Sequence, residues 1–270
     1  MSARLGELRF TSERLSRPPS NRWCAETTLH HFAIVTYLVD PESLRRHLHQ
    51  RFEPDLLELG PNAGKAVVSA VTFLDRDFRF AGVPWVRASF GQTNYRAYVT
   101  DRDTGEHVVW FFGTCLDSMT VAIPRYAWKL PWHRARFTFD CDYDEQTKCY
   151  RSLGIRTVSK WAPATIALED SGRAPQQLDG FADLEGGLVF LTHPLRGYFN
   201  RRDGALGSYA IWHDRLQPTE GRATNARYDL FDRLGLVPLG DTGSIHSVLI
   251  QKSVDFTIYL PPSRVSNRRR

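Results

Sequence analysis

Cysteine and methionine are scarce in this 270-residue chain, which holds four of the first and two of the second. Cys24, Cys115, Cys141 and Cys149 show no C-x-x-C spacing, so no disulfide framework is expected and reduced thiols are the default. Long apolar runs are missing too. The longest, such as Val108 to Phe112, fall far short of the ~20 residues that cross a bilayer. The first thirty residues carry charges throughout and no apolar stretch, so no signal peptide is expected. A cytoplasmic protein without membrane contact is the natural expectation. Also absent are a G-x-G-x-x-G after a strand, a P-loop, a G-x-S-x-G elbow and an H-E-x-x-H pair. The closely paired histidines are His30-His31 and His47-x-His49. Two residues apart on a helix, His47 and His49 do not share a face, so neither a metal site nor a cofactor is expected.

Acid is lacking at both ends, and this decides how the net charge of +5 is read. Residues 1–22 carry a balance of +3 and residues 264–270 a balance of +4, leaving −2 on residues 23–263. A nucleic-acid domain places its positive stripe on folded structure. The excess here sits in two segments read as a disordered basic N-terminal tail (1–22) and a basic C-terminal tail (264–270). No specific nucleic acid is expected as a partner.

Aromatics are plentiful, with 16 Phe and 7 Trp, which suits strands and pocket walls. Strands are predicted over 31–39, 65–74, 92–100, 106–115, 134–142, 147–155, 156–168, 208–214 and 245–260. Asp101 to Gly105 supplies a hairpin turn. Asp40-Pro41-Glu42 starts a helix ending near Phe52. Asp117 or Ser118 opens another running to about Lys129, with a kink at Pro124. A short helix is expected near 230–234. Pro163 demotes its strand to an edge or a bulge, and residues 171–187 resist assignment. Strands dominate and helices are short, so the fold class is mainly antiparallel β (α+β): one domain over 23–263, a curved sheet or barrel with peripheral helices.

Three segments could carry chemistry. On a strand, Asn94, Arg96 and Tyr98 point to one face and Tyr95 and Ala97 to the other. If the first face looks inward, Arg96 needs a buried anionic partner or a carboxylate ligand. The alternative is a solvent-facing strand surface. In the second segment a helix ends before Pro131 and a strand begins with Trp132, His133 and Arg134. Lys129 there serves as a helix-terminal cation, stabilised as a charge and unsuited to imine formation. His133 is a candidate proton carrier or a cross-sheet hydrogen bonder. The third is Trp212-His213-Asp214, with His213 either catalytic or structural.

These segments carry a resemblance. Asn94-Tyr95-Arg96-Ala97-Tyr98-Val99, Val109-Trp110-Phe111-Phe112 with Leu116-Asp117, and Leu130-Pro131-Trp132-His133-Arg134-Ala135 resemble the uncharacterised YqjF-like family, domain of unknown function 2071. Trp212-His213 and the closing Val254-Asp255 are similar as well. That family belongs to the acetoacetate-decarboxylase-like superfamily. The resemblance implies a β-cone or barrel around an internal cavity, a natural ligand site. In the decarboxylases a Pro-Lys-Lys motif supplies the Schiff-base lysine and its cationic neighbour, the standard case of a lysine activated by a nearby cation. Here Pro131-Trp132-His133 stands in its place and both lysines are gone. Thr93-Asn94-Tyr95-Arg96 stands where those enzymes place a glutamate. The expected function is therefore to bind, or to transform without an imine, a small carboxylate or carbonyl compound. His133 and His213 are candidate catalytic groups, and Asn94, Arg96, Tyr98, Trp132 and Arg134 candidate ligand contacts. A non-catalytic binder and an interaction protein acting through its tails are the alternatives, and self-association stays open.

Overall fold

In a computed structural model, which describes residues 8–118 and 122–265, the β-branched and aromatic runs become twelve strands. The chain opens with α1 (Ser12–Leu15), β1 (Ala25–Val39), α2 (Pro41–Arg45) and β2 (Phe52–Pro54). β3 (Ala66–Phe80), β4 (Ala88–Asp101) and β5 (His107–Leu116) follow as a meander, and α3 (Ala122–Ala127) leads into β6 (Trp132–Asp144). Then come β7 (Cys149–Ser159), β8 (Ala164–Asp170), α4 (Leu184–Thr192), β9 (Arg196–Asn200) and β10 (Leu206–His213). β11 (Thr219–Tyr228), α5 (Asp229–Arg233) and the 20-residue β12 (Ile245–Arg264) complete it.

Pairing is antiparallel except where β5 meets β6 and β9. β12, β1, β3, β4 and β5 lie side by side as a five-stranded wall. Each outer strand of this wall then changes neighbour along its free edge. β5 pairs with β9 over Val109–Phe111 and with β6 over Thr114–Leu116. β12 pairs with β11 over Val248–Ile250 and with β10 beyond Phe256. The hydrogen-bonded circuit therefore closes twice on a shared wall. A seven-stranded ring closes through β9 and β10, and a nine-stranded ring through β6, β7, β8 and β11. Gly113 sits at the β5 branch, where an added Cβ would meet the Trp161 ring at 2.6 Å and the Pro131 carbonyl at 3.0 Å. Only glycine fits so close a crossing.

Strand alternation sends each face of the wall into a different core. Tyr37, Ala70, Tyr95, Ala97 and Trp110 pack inside the larger ring, plugged by Leu230 and Phe231 of α5. Ile34, Val71, Tyr98, Val109 and Phe199 face the smaller ring, filled from one end by Leu188–Leu191 of α4. Asp183 caps α4, accepting from Gly186 N at 2.8 Å.

Several expectations shift. The helix expected to reach Phe52 stops at Arg45, and His47 instead hydrogen-bonds the Leu234 carbonyl at 2.8 Å. The strand expected over 156–168 is two strands, because Pro163 lies in the connection between β7 and β8. The helix expected from Asp117 to Lys129 is α3 alone. Its expected start, Asp117 or Ser118, is not helical, and residues 119–121 lie outside the described residues. Residues 8–22, read as a disordered tail, cross the end of the smaller ring. Leu8 is buried there, Arg9 pairs with Asp183 at 2.7 Å, and Leu15 O accepts from Trp212 Nε1 at 3.1 Å. No helix among the described residues is long and apolar enough to cross a membrane.

Candidate functional site

Asn94, Arg96 and Tyr98 occupy the face of β4 that looks into the smaller ring. Arg96 is 8% exposed. Its Nε donates to Ser69 Oγ at 3.0 Å, and its Nη2 donates to Tyr98 OH at 2.9 Å and to the Leu191 carbonyl at 2.8 Å. Tyr98 OH donates to that same carbonyl at 2.8 Å. Every one of these acceptors is neutral, and among the described residues no carboxylate pairs with Arg96. A guanidinium carries five N–H donors. Nη1, with two of them, makes no hydrogen bond to a described residue.

The next inward-facing positions along β4 carry amides. Asn94 Oδ1 accepts from Thr114 Oγ1 at 2.7 Å and from Gln92 Nε2 at 3.0 Å. Both bonds fall on the amide oxygen, and the amide nitrogen makes none to a described residue. Aromatic groups complete the surroundings. Tyr209 stacks on Phe111 at 5.5 Å, and burial raises its phenol pKa against the opposing pull of Arg96. Trp132 packs at the same level as Phe90 and Leu116. Gln92, Asn94, Trp132 and Tyr209 are half-buried, whereas Thr93 and Tyr95 on the other face of β4 are fully enclosed.

The other anticipated residues divide. His213 lies inside the smaller ring, stacked on Phe256 at 4.4 Å and edge-on to His193 at 4.7 Å. Burial, then His193, push its pKa down to about 3, and Nδ1 bonds the Asp214 carbonyl at 2.8 Å. His133 is on the opposite face of β6 from Trp132. It stacks on Trp161 at 3.9 Å, and burial with Arg125, Arg202 and Arg233 nearby lowers it to about 4. The expectation that Trp132 and His133 share a site fails because successive strand residues point to opposite sides. Arg134 is exposed. Ser69, Tyr209 and the Leu191 carbonyl were not anticipated, although a serine within the apolar run Ala66–Phe73 was a readable signal.

His213 has a measurable consequence. The unfolded imidazole takes up a proton below about 6.5, while the folded one resists to about 3. Stability therefore falls as pH drops through this window. In His213→Phe, which keeps the stack on Phe256, the loss of Tm between pH 7 and pH 4 should be smaller than in wild type.

A family model for DUF2071, described as an uncharacterized conserved protein, matches residues 26–255. The chain belongs to the DUF2071 family. No curated protein matches it. Among solved structures, this DUF2071 protein is similar to the enduracididine biosynthesis enzyme MppR at 15% identity and a TM-score of 0.61, covering 96% of this chain and 91% of that one. It is also similar to acetoacetate decarboxylase from Legionella pneumophila, at 15% identity, TM-score 0.54 and 98% of each chain. An acetoacetate decarboxylase-like enzyme from Sphingomonas wittichii RW1 matches at 11% identity and TM-score 0.58, over 92% of this chain and 94% of that one. At such identities the likeness shows a shared fold, the acetoacetate-decarboxylase-like architecture.

Proposed function

We propose that the interior of the smaller ring binds a small carboxylate, with Arg96 as its anchor. The observation that carries this reading is a buried guanidinium whose acceptors among the described residues are all neutral. Burying a positive charge without an anion is costly. A carboxylate arriving at Nη1 would supply the missing charge and accept a forked pair of bonds. Asn94 offers a second donor one strand repeat further along the same face, suited to a carbonyl or hydroxyl of the same ligand. The accessible surface left on Gln92, Asn94, Trp132 and Tyr209 supports space for it, a polar line opposed by aromatic walls. MppR, of the same fold, is solved with pyruvate bound.

Binding is favoured over turnover by the two candidate proton carriers. His133 is outside the ring, and His213 is held neutral by burial. Lysine imine chemistry has no support either: of the five lysines in the sequence none is buried, and Lys65, Lys148 and Lys160 are exposed. The test is a thermal-shift screen against small carboxylic acids, 2-oxo acids, aldehydes and the matching primary amides. Carboxylates should raise Tm and their amides should not. Borohydride added with a 2-oxo acid should leave the protein mass unchanged. A rise in mass by the reduced adduct would overturn the non-covalent reading.

A further inference from the structure

Four of the eight large exposed apolar side chains among the described residues lie in one place. Trp85 is 76% exposed, Val86 62%, Trp23 49% and Val83 39%. Three of them form the tip joining β3 to β4, and Trp23 lies beside it. The tip is a held structure: Ala81 N and Gly82 N donate to the Cys24 and Arg22 carbonyls at 2.9 Å, and Val83 N to the Phe80 carbonyl at 2.9 Å. A fixed loop that shows a tryptophan and two valines to water marks a docking surface. Its charge is basic. Arg22, Arg76, Arg79 and Arg87 surround it, against Asp77 and Glu26.

The opposite end of the same strand has the complementary character. A cleft of about 640 Å³ opens beside β2, lined by Glu53, Asp55, Glu58, Asp101 and Asp103, with Arg102 as the cation of its lining. Four of these acids are already paired within the chain, Glu53 with Arg45 and Arg102, Asp101 and Asp103 with Arg51, and Asp55 with His107, whereas Glu58 has no ion-pair partner among the described residues. Leu56 lines the cleft and Leu59 adjoins it, and these are two more of the eight exposed apolar side chains. β4 begins at the tip and ends at the cleft. Fourteen residues at a strand rise of ~3.3 Å put the two about 40 Å apart, too far for a contact within one chain.

We infer that the tip of one molecule seats in the cleft of a second copy. Trp85 and Val86 would meet Leu56 and Leu59 while the tip arginines face Glu58 and its neighbours. The contact is head-to-tail, so a pair keeps one free tip and one free cleft, and association continues into a ring or a filament.

Sedimentation velocity on the full-length chain from 1 to 200 µM tests this. Wild type should show species larger than a dimer. Trp85→Ser with Val86→Ser, and separately Leu56→Ser with Glu58→Arg, should each raise the dissociation constant of self-association at least 100-fold and sediment as monomers. All four positions are surface-exposed or at the cleft rim, and unchanged Tm values would show that both variants fold. Mixed in equal amounts, the two variants should form a 1:1 dimer and nothing larger, because the mixture holds one working tip and one working cleft. A wild type that stays monomeric at 200 µM would overturn the proposal, as would a variant that assembles normally or a mixture that stays monomeric. If wild type were monomeric but bound vesicles of anionic phospholipid through Trp85, the tip would be a membrane contact and the self-association would be refuted.

Discussion

Arg96→Gln is expected to weaken binding of small carboxylates by roughly 30- to 1,000-fold, as read by isothermal titration. The range follows from the ~2–4 kcal/mol lost when one partner of a buried charged pair is removed, at ~1.4 kcal/mol for each factor of ten. The unliganded fold should tolerate the change. Glutamine can retain a bond to Ser69 or Tyr98, and the substitution removes a buried charge that lacks an acidic partner among the described residues, so Tm without ligand should hold or rise. Arg96→Lys should not restore affinity, since an ammonium cannot reproduce the fork. Undiminished affinity in Arg96→Gln would place the carboxylate elsewhere.

Asp75→Asn should stabilise the protein, and only above about pH 5. Asp75 is 2% exposed on the inner face of β3, beyond Phe73. Its Oδ1 accepts from Thr27 Oγ1 at 3.0 Å, and Oδ2 has no partner among the described residues. Burial raises its pKa from 3.8 to about 8. An unfolded carboxyl ionises above about 4 while the folded one keeps its proton to about 8, so stability is lost progressively as pH rises between these values. At pH 7 the loss is up to about 4 kcal/mol on this shift. An amide has nearly the shape of the protonated acid and no ionisation to lose. Tm of Asp75→Asn should exceed that of wild type by roughly 5–10 °C near pH 8 and match it at pH 4. An equal difference at both pH values would show that the carboxyl does not titrate in this way.

The main strands were legible because β1, β3, β4, β5 and β12 carry β-branched and aromatic runs that few other structures accommodate. α4 was hidden for the opposite reason. Leu188 to Leu191 is buried on every side, so it shows no 3.6-residue periodicity, and Gly186-Gly187 reads as loop. β11 alternates through Glu220, Arg222 and Arg227, with one half of each pair in water, and lacks a β-branched run. β9 has only five residues. In the site, alternation alone grouped Asn94, Arg96 and Tyr98. That this face turns inward depends on β9 and β10 closing the smaller ring, pairings between residues far apart in the chain. His133 was misplaced because a two-residue period allows only one of Trp132 and His133 to look into the ring.

The most direct measurement is anomalous diffraction from crystals of the wild-type chain soaked with a small bromo-substituted carboxylate. The expected bromine position is inside the smaller ring between Asn94 and Trp132, with the carboxylate on Nη1 of Arg96. Bromine found only in the cleft beside β2, or no ordered bromine where solution binding has been measured, would contradict carboxylate binding at Arg96.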